Sequence, residues 1–113
     1  MTDKIVVFST CASAEEAERI ARHLIDRRLA ACVNVVPQIR SFYRWKGAVE
    51  NSDEWLLIIK TSRPLFDQVR VLLEAVHSYE VPEVLALPVV AASPNYLAWL
   101  TTELAGEEDP AGD

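Results

Sequence analysis

The sequence predicts one ferredoxin-like α/β domain with the element order β-α-β-β-α-β and an added C-terminal helix. Three observations lead to this prediction. A long central stretch reads as a two-arm hairpin of extended chain. The segments on either side of it repeat apolar residues at helical spacing. Short apolar runs precede the first helical segment and follow the second. This is the split β-α-β order, and right-handed crossovers then place strands one and three in the centre of the sheet and strands two and four at its edges.

The chain begins with a predicted strand and a predicted helix. Ile5 to Phe8 is a short apolar run, as expected of a central strand. Ser13 and Glu16 have the spacing of a capping box, which marks the beginning of a helix. Apolar residues then recur every three or four positions on one helical face: Ala17, Ile20, Ala21, Leu24 and Ile25.

Residues 29–60 form the predicted hairpin, whose arms join at Trp45-Lys46-Gly47. The first arm alternates apolar and polar residues, which indicates a strand with one buried face. Pro37 interrupts this arm and cannot donate a ladder hydrogen bond, so the strand should lie at an edge or bend there. The second arm ends in the apolar run from Trp55 to Ile59, typical of a central strand covered on both faces.

The C-terminal half supplies the second helix, the last strand and the added helix. Ser62-Arg63-Pro64 begins the second helix, with proline where a first turn tolerates it, and His77 ends it. Residues 84–92 form the predicted last strand, and Pro88 within it indicates an edge or bulged position. Ser93-Pro94 begins the C-terminal helix.

Length and charge limit the class of protein. We expect residues 1–104 to form a single domain and residues 105–113 to form a flexible acidic tail. The net charge is −6, but four of the acids lie in the tail, and the domain carries 13 acidic and 11 basic residues. It therefore lacks the basic surface that nucleic-acid binding requires. No apolar stretch has transmembrane length and the N-terminus does not resemble a signal peptide, so the expected location is the cytoplasm, away from membranes.

Cys11 and His77 form the first candidate site. The first strand and the second helix run in the same direction, so both residues should lie at one end of the subunit, with Cys32 at the other. A thiolate and an imidazole suit copper or zinc, although two ligands require a third group to complete a site. The alternative is a small buried cysteine beside a helix-capping histidine.

Four linked segments resemble the CutA family of divalent-cation tolerance proteins: LAACVNVVP at residues 29–37, SFYRWKG at 41–47, EWLLIIKT at 54–61 and HSYEVPEVLALPV at 77–89. The resemblance extends from Ile5 to Leu104. It implies a ferredoxin-like fold, a homotrimer of PII-like architecture, and an association with metal-ion response and copper binding, without a defined catalytic activity. In the family, copper ligands lie at a cysteine ending the first strand and at adjacent histidines ending the second helix. This chain has Ser9 at the cysteine position, with Cys11 two residues later, and Val76-His77 in place of two histidines.

A second candidate set is polar and aromatic and lies within the shared segments: Trp45, Glu54, Lys60, Tyr79 and Glu80. These residues are expected to line a cleft between subunits, where they would bind a small anionic or polar ligand. The alternative is an intersubunit salt-bridge network with aromatic anchors. Cys32 is expected at a subunit contact, where three copies near a threefold axis would also offer thiols to a soft metal.

Sequence motifs of common enzyme classes are absent. The chain has no glycine-rich phosphate loop, no Gly-x-Ser-x-Gly elbow and no His-Glu-x-x-His pair. Together with this absence, the resemblance to the CutA family implies the leading hypothesis: a cytoplasmic, trimeric, non-enzymatic protein that responds to metal ions and binds copper or another divalent cation. The alternatives are a PII-like signalling module that binds a small anionic ligand in its intersubunit cleft, and a structural trimer that contacts another protein.

Overall fold

The computed structural model describes residues 2–106 as a four-stranded antiparallel sheet with two helices packed on one face and a third helix near the C-terminus. The elements in chain order are β1 (Lys4–Cys11), α1 (Ala14–Asp26), β2 (Cys32–Trp45), β3 (Ala48–Ser62), α2 (Phe66–Val76), β4 (Leu85–Pro88) and α3 (Pro94–Glu103). The strands lie in the order β2-β3-β1-β4, which confirms the ferredoxin-like fold and the central position of strands one and three. Most of the predicted acidic tail, residues 107–113, lies outside the described residues.

The pairing of β1 with β3 determines which residues form the core. Val7 pairs with Ile59 and Cys11 pairs with Trp55, and directly paired side chains lie on the same face of a sheet. Val7, Ile59 and Cys11 are fully buried. They share the core with buried residues of the two helices: Ala17, Ile20, Leu24, Val69, Leu72 and Leu73. This is therefore the face that α1 and α2 cover.

The opposite face of the sheet is open within one chain. Phe8 pairs with Ile58 on one side and with Leu85 on the other. Phe8 and Ile58 are only half-buried, and Leu85 is exposed. The apolar run of β3 predicted a strand covered on both faces, but residues 2–106 of one chain cover only one face. We refer to the face that carries Phe8, Ile58 and Leu85 as the open face.

The β2-β3 hairpin extends well past the helices. Its strands contain 14 and 15 residues, and the molecule is 53 Å long but only 25 Å by 22 Å across. Lys46 and Gly47 form the two-residue turn with φ angles of 50° and 85°, as a tight type I′ hairpin turn requires. Phe42 and Val49 are 69% and 67% exposed, so the arm presents apolar side chains to its surroundings.

The two prolines that predicted edge strands do lie in edge strands. In β2 the register shifts between Val36 and Ile39, because Pro37 cannot donate to the ladder and Gln38 takes a left-handed φ of 55°. In β4 the strand ends at Pro88.

Two predicted boundaries differ from the structure. The last strand was expected over residues 84–92 but spans only Leu85–Pro88. Its residues are exposed and it has β1 as its single partner in the sheet, so the apolar pattern overstated its length. The second helix was expected to begin at Ser62-Arg63-Pro64. Arg63–Leu65 instead form a 3₁₀ turn, and α2 follows it.

Candidate metal centre and adjoining acidic pocket

The N-terminus of α1 is tied to the segment that follows α2 by one carboxylate. Ser13 Oγ accepts a hydrogen bond from the Glu16 N–H at 3.1 Å, as the capping-box spacing predicted. The Glu16 carboxylate accepts from the Ala12 N–H at 3.2 Å, and from the N–H and hydroxyl of Ser78 at 2.7 Å and 3.1 Å. Glu16 is only 4% exposed. Burial opposes its ionisation, but the hydrogen bonds from Ser78 and Ala12 outweigh burial and hold the pKa of Glu16 below its ordinary value.

The imidazole of His77 is held by hydrogen bonds at both ring nitrogens. Nε2 lies 2.7 Å from the carbonyl oxygen of Thr10, which can only accept, so Nε2 carries the proton. Nδ1 accepts from the Tyr79 N–H at 3.0 Å and lies 3.7 Å from Glu16 Oε2. The ring is therefore the neutral Nε2–H tautomer, oriented across the end of β1.

Cys11 lies at the last position of β1 and is fully buried. Burial raises the pKa of its thiol to about 12, and the charges of Glu16 and Glu54 contribute in the same direction. The sulfur is therefore a protonated thiol at neutral pH. In this state it packs as a small apolar group.

Cys11, Glu16 and His77 bring three different donor atoms together. A sulfur, a carboxylate oxygen and a ring nitrogen lie within 4.8 Å of one another. We call these three residues the donor cluster. The donor types suit a soft or borderline cation, but the thiol is protonated and both ring nitrogens are bonded. A cation must therefore displace the thiol proton and at least one of the hydrogen bonds of the imidazole.

The predicted pairing of Cys11 with His77 holds in the structure, and sequence reasoning missed the third donor. Glu16 was recognised only as a capping residue. The capping box places Glu16 at the end of the subunit where the first strand ends, but residue spacing does not show that its carboxylate faces Cys11 and His77.

Ser9 precedes Cys11 by two residues and so lies on the same face of β1. It is fully buried, and its hydroxyl has no hydrogen-bond partner among the described residues. An unsatisfied buried hydroxyl costs about 1–3 kcal/mol. The position where the family resemblance placed a cysteine ligand is thus a buried polar position beside the donor cluster.

A cavity of about 700 Å³ lies on the open face and extends along the hairpin arm from Glu54 to Trp45 beside the turn, with residues 78–83 as its other wall. We call it the acidic pocket. Four glutamates and four aromatic residues line it: Glu50, Glu54, Glu80, Glu83, Phe42, Tyr43, Trp45 and Tyr79. Its remaining lining residues are Thr10, Ser41, Ser78 and Val81, so no lysine or arginine among residues 2–106 of the same chain lines it. Four members of the predicted cleft set, Trp45, Glu54, Tyr79 and Glu80, come together here.

Glu54 and Tyr79 form the buried wall of the acidic pocket. Glu54 is 6% exposed, and the Tyr79 hydroxyl donates to its Oε2 at 2.6 Å. Burial, followed by the bond to Glu54, raises the pKa of Tyr79 above its ordinary range. Burial and the charge of Glu54 also raise the pKa of Glu83. The pocket is therefore an environment of concentrated negative charge.

Lys60, the fifth member of the predicted set, does not reach the acidic pocket in its own chain. It follows Glu54 by six positions along β3, a separation of about 20 Å. Lys60 pairs with Cys32 in the sheet register, and its Nζ contacts Asn34 Oδ1 and lies 3.8 Å from Cys32 Sγ. The prediction of an anionic ligand relied on the positive charge of Lys60. Because Lys60 lies away from the pocket of its own chain, that chain alone does not supply the charge that an anionic ligand needs.

Cys32 begins β2, whereas Cys11 ends β1 and pairs with Trp55. On β3, Cys32 pairs with Lys60 and Cys11 pairs with Trp55, five residues away. The two cysteines therefore lie toward opposite ends of the sheet. Both cysteines are free thiols. The separation predicted from topology is therefore confirmed.

Comparison with known proteins gives consistent matches over the domain. Residues 5–103 match the family described as CutA1 divalent ion tolerance protein. The chain is 47% identical over 93 residues to the mouse protein named Protein CutA, which corresponds to 82% of this chain and 52% of the mouse protein. The chain thus spans about half the length of that relative.

Solved structures show the same fold. A divalent cation tolerance protein (Cut A1) from Thermus thermophilus superposes with a TM-score of 0.88 at 42% identity, covering 90% of this chain and 99% of that protein. A structure from Archaeoglobus fulgidus described as a periplasmic divalent cation tolerance protein CutA gives a TM-score of 0.86 at 39% identity, covering 88% and 97%. Within residues 2–106, no helix is long and apolar enough to cross a membrane.

Proposed function

Because this chain belongs to the CutA1 divalent ion tolerance family, we propose that it acts in metal-ion tolerance as a homotrimeric, non-catalytic protein whose donor cluster binds copper. The observation that carries the proposal is the convergence of Cys11, Glu16 and His77 within 4.8 Å. Thiolate and imidazole are ligands that copper accepts readily. The cytoplasm remains our prediction for its location.

Binding at the donor cluster would exchange hydrogen bonds for metal ligands. A coordinated cation removes the thiol proton outright, so the high thiol pKa weakens binding without abolishing it. Glu16 is already ionised and needs no such change. Release of the Tyr79 N–H from Nδ1 would free the imidazole lone pair nearest Glu16. Three protein ligands leave room for a water or a further group.

The exposed apolar surface supports the trimer. The open face presents Phe8, Ile58 and Leu85, and the hairpin arm presents Phe42 and Val49. Monomeric proteins rarely leave contiguous apolar areas of this kind in water. Both edge strands also have unpaired backbone groups that another chain can cover.

Native mass spectrometry of the reduced protein, titrated separately with Cu(I) and Cu(II), tests the proposal. We expect a trimer that takes up one copper per chain. A Cys11→Ser/His77→Ala variant should remain trimeric and lose this uptake. Cys32→Ser is the matched control, because it removes a thiol at the other end of the sheet, and it should bind like the original chain.

The opposite pattern would refute the metal site. If Cys32→Ser loses copper while the Cys11→Ser/His77→Ala variant retains it, the metal is bound at the subunit contact rather than in the donor cluster. If neither the original chain nor the control takes up copper stoichiometrically, the donor cluster is a structural hydrogen-bond network.

A further inference from the structure

Two residues that follow α2 close the donor cluster on its outer side. The thiol of Cys11 and the side chain of His77 are fully buried, and Glu16 is nearly so. Ser78, which is exposed, donates both its N–H and its hydroxyl to the Glu16 carboxylate. Tyr79 donates its N–H to His77 Nδ1, and the centroids of the two rings lie 4.7 Å apart. Ser78 and Tyr79 therefore occupy the carboxylate and the ring nitrogen that a cation would use.

Tyr79 is also held on the opposite face of the sheet. Its hydroxyl donates to Glu54 Oε2 at 2.6 Å. Glu54 precedes Trp55, which pairs with Cys11 on the helix side, so the Glu54 side chain lies on the open face. Tyr79 thus passes the end of β1 and joins the two faces. This contact forms within one chain, and it does not depend on whether a neighbouring copy covers the open face.

The segment that carries Ser78 and Tyr79 is the part of this region that can open locally. Residues 77–84 connect α2 to β4 and contain neither helix nor strand, and such segments open at a lower free energy than core strands and helices. We propose that Ser78 and Tyr79 form a latch over the donor cluster, which must open for copper to bind and which the hydrogen bond from Tyr79 to Glu54 holds closed. This inference rests on the copper site of the proposed function.

The latch has a defined effect on the affinity for copper. While it is closed, Nδ1 of His77 is not available, so the apparent affinity is reduced in proportion to the fraction of chains in which the latch is open. Loss of the hydrogen bond to Glu54 raises that fraction. Tyr79→Phe should therefore bind copper more tightly than the original chain, although the substitution makes the fold less stable. A residue that only supports the fold would not have this effect.

Competition between the reduced full-length protein and a colorimetric Cu(I) chelator measures this affinity. Tyr79→Phe should bind Cu(I) about tenfold or more tightly than the original chain, the factor that corresponds to one charge-assisted hydrogen bond. Tyr96→Phe removes a hydroxyl from α3 and should leave the affinity unchanged. Leu24→Ala destabilises the core near the other end of α1 and should also leave it unchanged. Equal tightening in Leu24→Ala, or none in Tyr79→Phe, would overturn the latch.

Amide hydrogen exchange, followed by NMR on the metal-free protein, measures the opening itself. The amides of Ser78 and Tyr79 should exchange at rates that low concentrations of urea hardly change, because local opening exposes little surface. Both rates should rise about tenfold or more in Tyr79→Phe and stay constant in Tyr96→Phe. If both amides exchange with the same urea dependence as the core amide of Ile59, they open only on global unfolding, and the latch is overturned.

The combined results distinguish failure of the latch from failure of the copper site. Equal copper affinity in the original chain and Tyr79→Phe would leave the donor cluster in place and overturn the latch. Copper binding by Tyr79→Phe alone would support the latch as the cause of weak binding in the original chain. If neither protein binds copper, the proposed function fails, whereas the exchange of the Ser78 and Tyr79 amides still shows whether the latch opens locally.

Discussion

Replacing Glu16 with glutamine should destabilise the protein by about 3 kcal/mol. The Glu16 carboxylate accepts three hydrogen bonds: one from the Ala12 N–H, and two from the N–H and the hydroxyl of Ser78. The side chain is almost fully buried. A glutamine keeps one acceptor oxygen, but its amide nitrogen is itself a donor and meets at least one of these groups as a mismatch. A charge-assisted bond is worth about 1.5–3 kcal/mol, and an unsatisfied buried donor costs about 1–3 kcal/mol.

Urea unfolding at fixed protein concentration measures this loss, with Glu15→Gln as the control, because it neutralises the neighbouring exposed acid. The difference between the original chain and Glu16→Gln should depend on pH. The pKa of folded Glu16 lies below the ordinary 4.5, so its stabilisation is complete above about pH 4.5 and disappears as the pH falls through the folded pKa. A difference below 0.5 kcal/mol (about the error of such measurements), or one that does not shrink on acidification, would refute the reasoning.

Three further outcomes follow from the same geometry. In the native protein Cys11 should resist iodoacetamide and react only after unfolding. A pKa of about 12 instead of 9 leaves about a thousandfold less thiolate to react. Mass spectrometry measures the labelling, and rapid labelling of native Cys11 would contradict its burial. Tyr79→Phe should lower the free energy of unfolding in urea by about 1–3 kcal/mol, because it leaves the buried Glu54 carboxylate without its hydrogen-bond donor. Tyr96→Phe, at an exposed position of α3, should lower it little. Equal losses would contradict the contact between Tyr79 and Glu54. In Trp45→Ala the trimer should dissociate on dilution more readily than in Trp99→Ala, because the hairpin tip is proposed to dock on a neighbour. Sedimentation velocity measures the fraction of trimer at each dilution, and an equal or larger loss of trimer in Trp99→Ala would contradict this docking.

Local patterns were sufficient to predict most of the fold. Alternation and apolar runs located the strands, and Pro37 and Pro88 identified the edges because neither can donate to a ladder. The boundaries failed where tertiary context decides them. Residues 84–92 are apolar enough for a strand throughout, yet pairing with β1 ends at Pro88.

The candidate sites were only partly predictable. Topology brought Cys11 and His77 together because both follow elements that run the same way. The third donor, Glu16, depends on how the first turn of α1 is oriented over the end of the sheet, and residue spacing does not specify this orientation. Lys60 was grouped with Glu54 through shared motifs, although six positions along one strand already imply a separation of about 20 Å. Motif membership is therefore weaker evidence of proximity than register.

X-ray absorption at the copper edge, on protein loaded with one copper per chain, tests the donor cluster most directly. The proposed site predicts one sulfur and at least one imidazole nitrogen among the ligands of the metal. The sulfur signal should disappear in Cys11→Ser and persist in Cys32→Ser. A spectrum with only nitrogen and oxygen ligands, or a sulfur signal that depends on Cys32, would contradict the site formed by Cys11, Glu16 and His77.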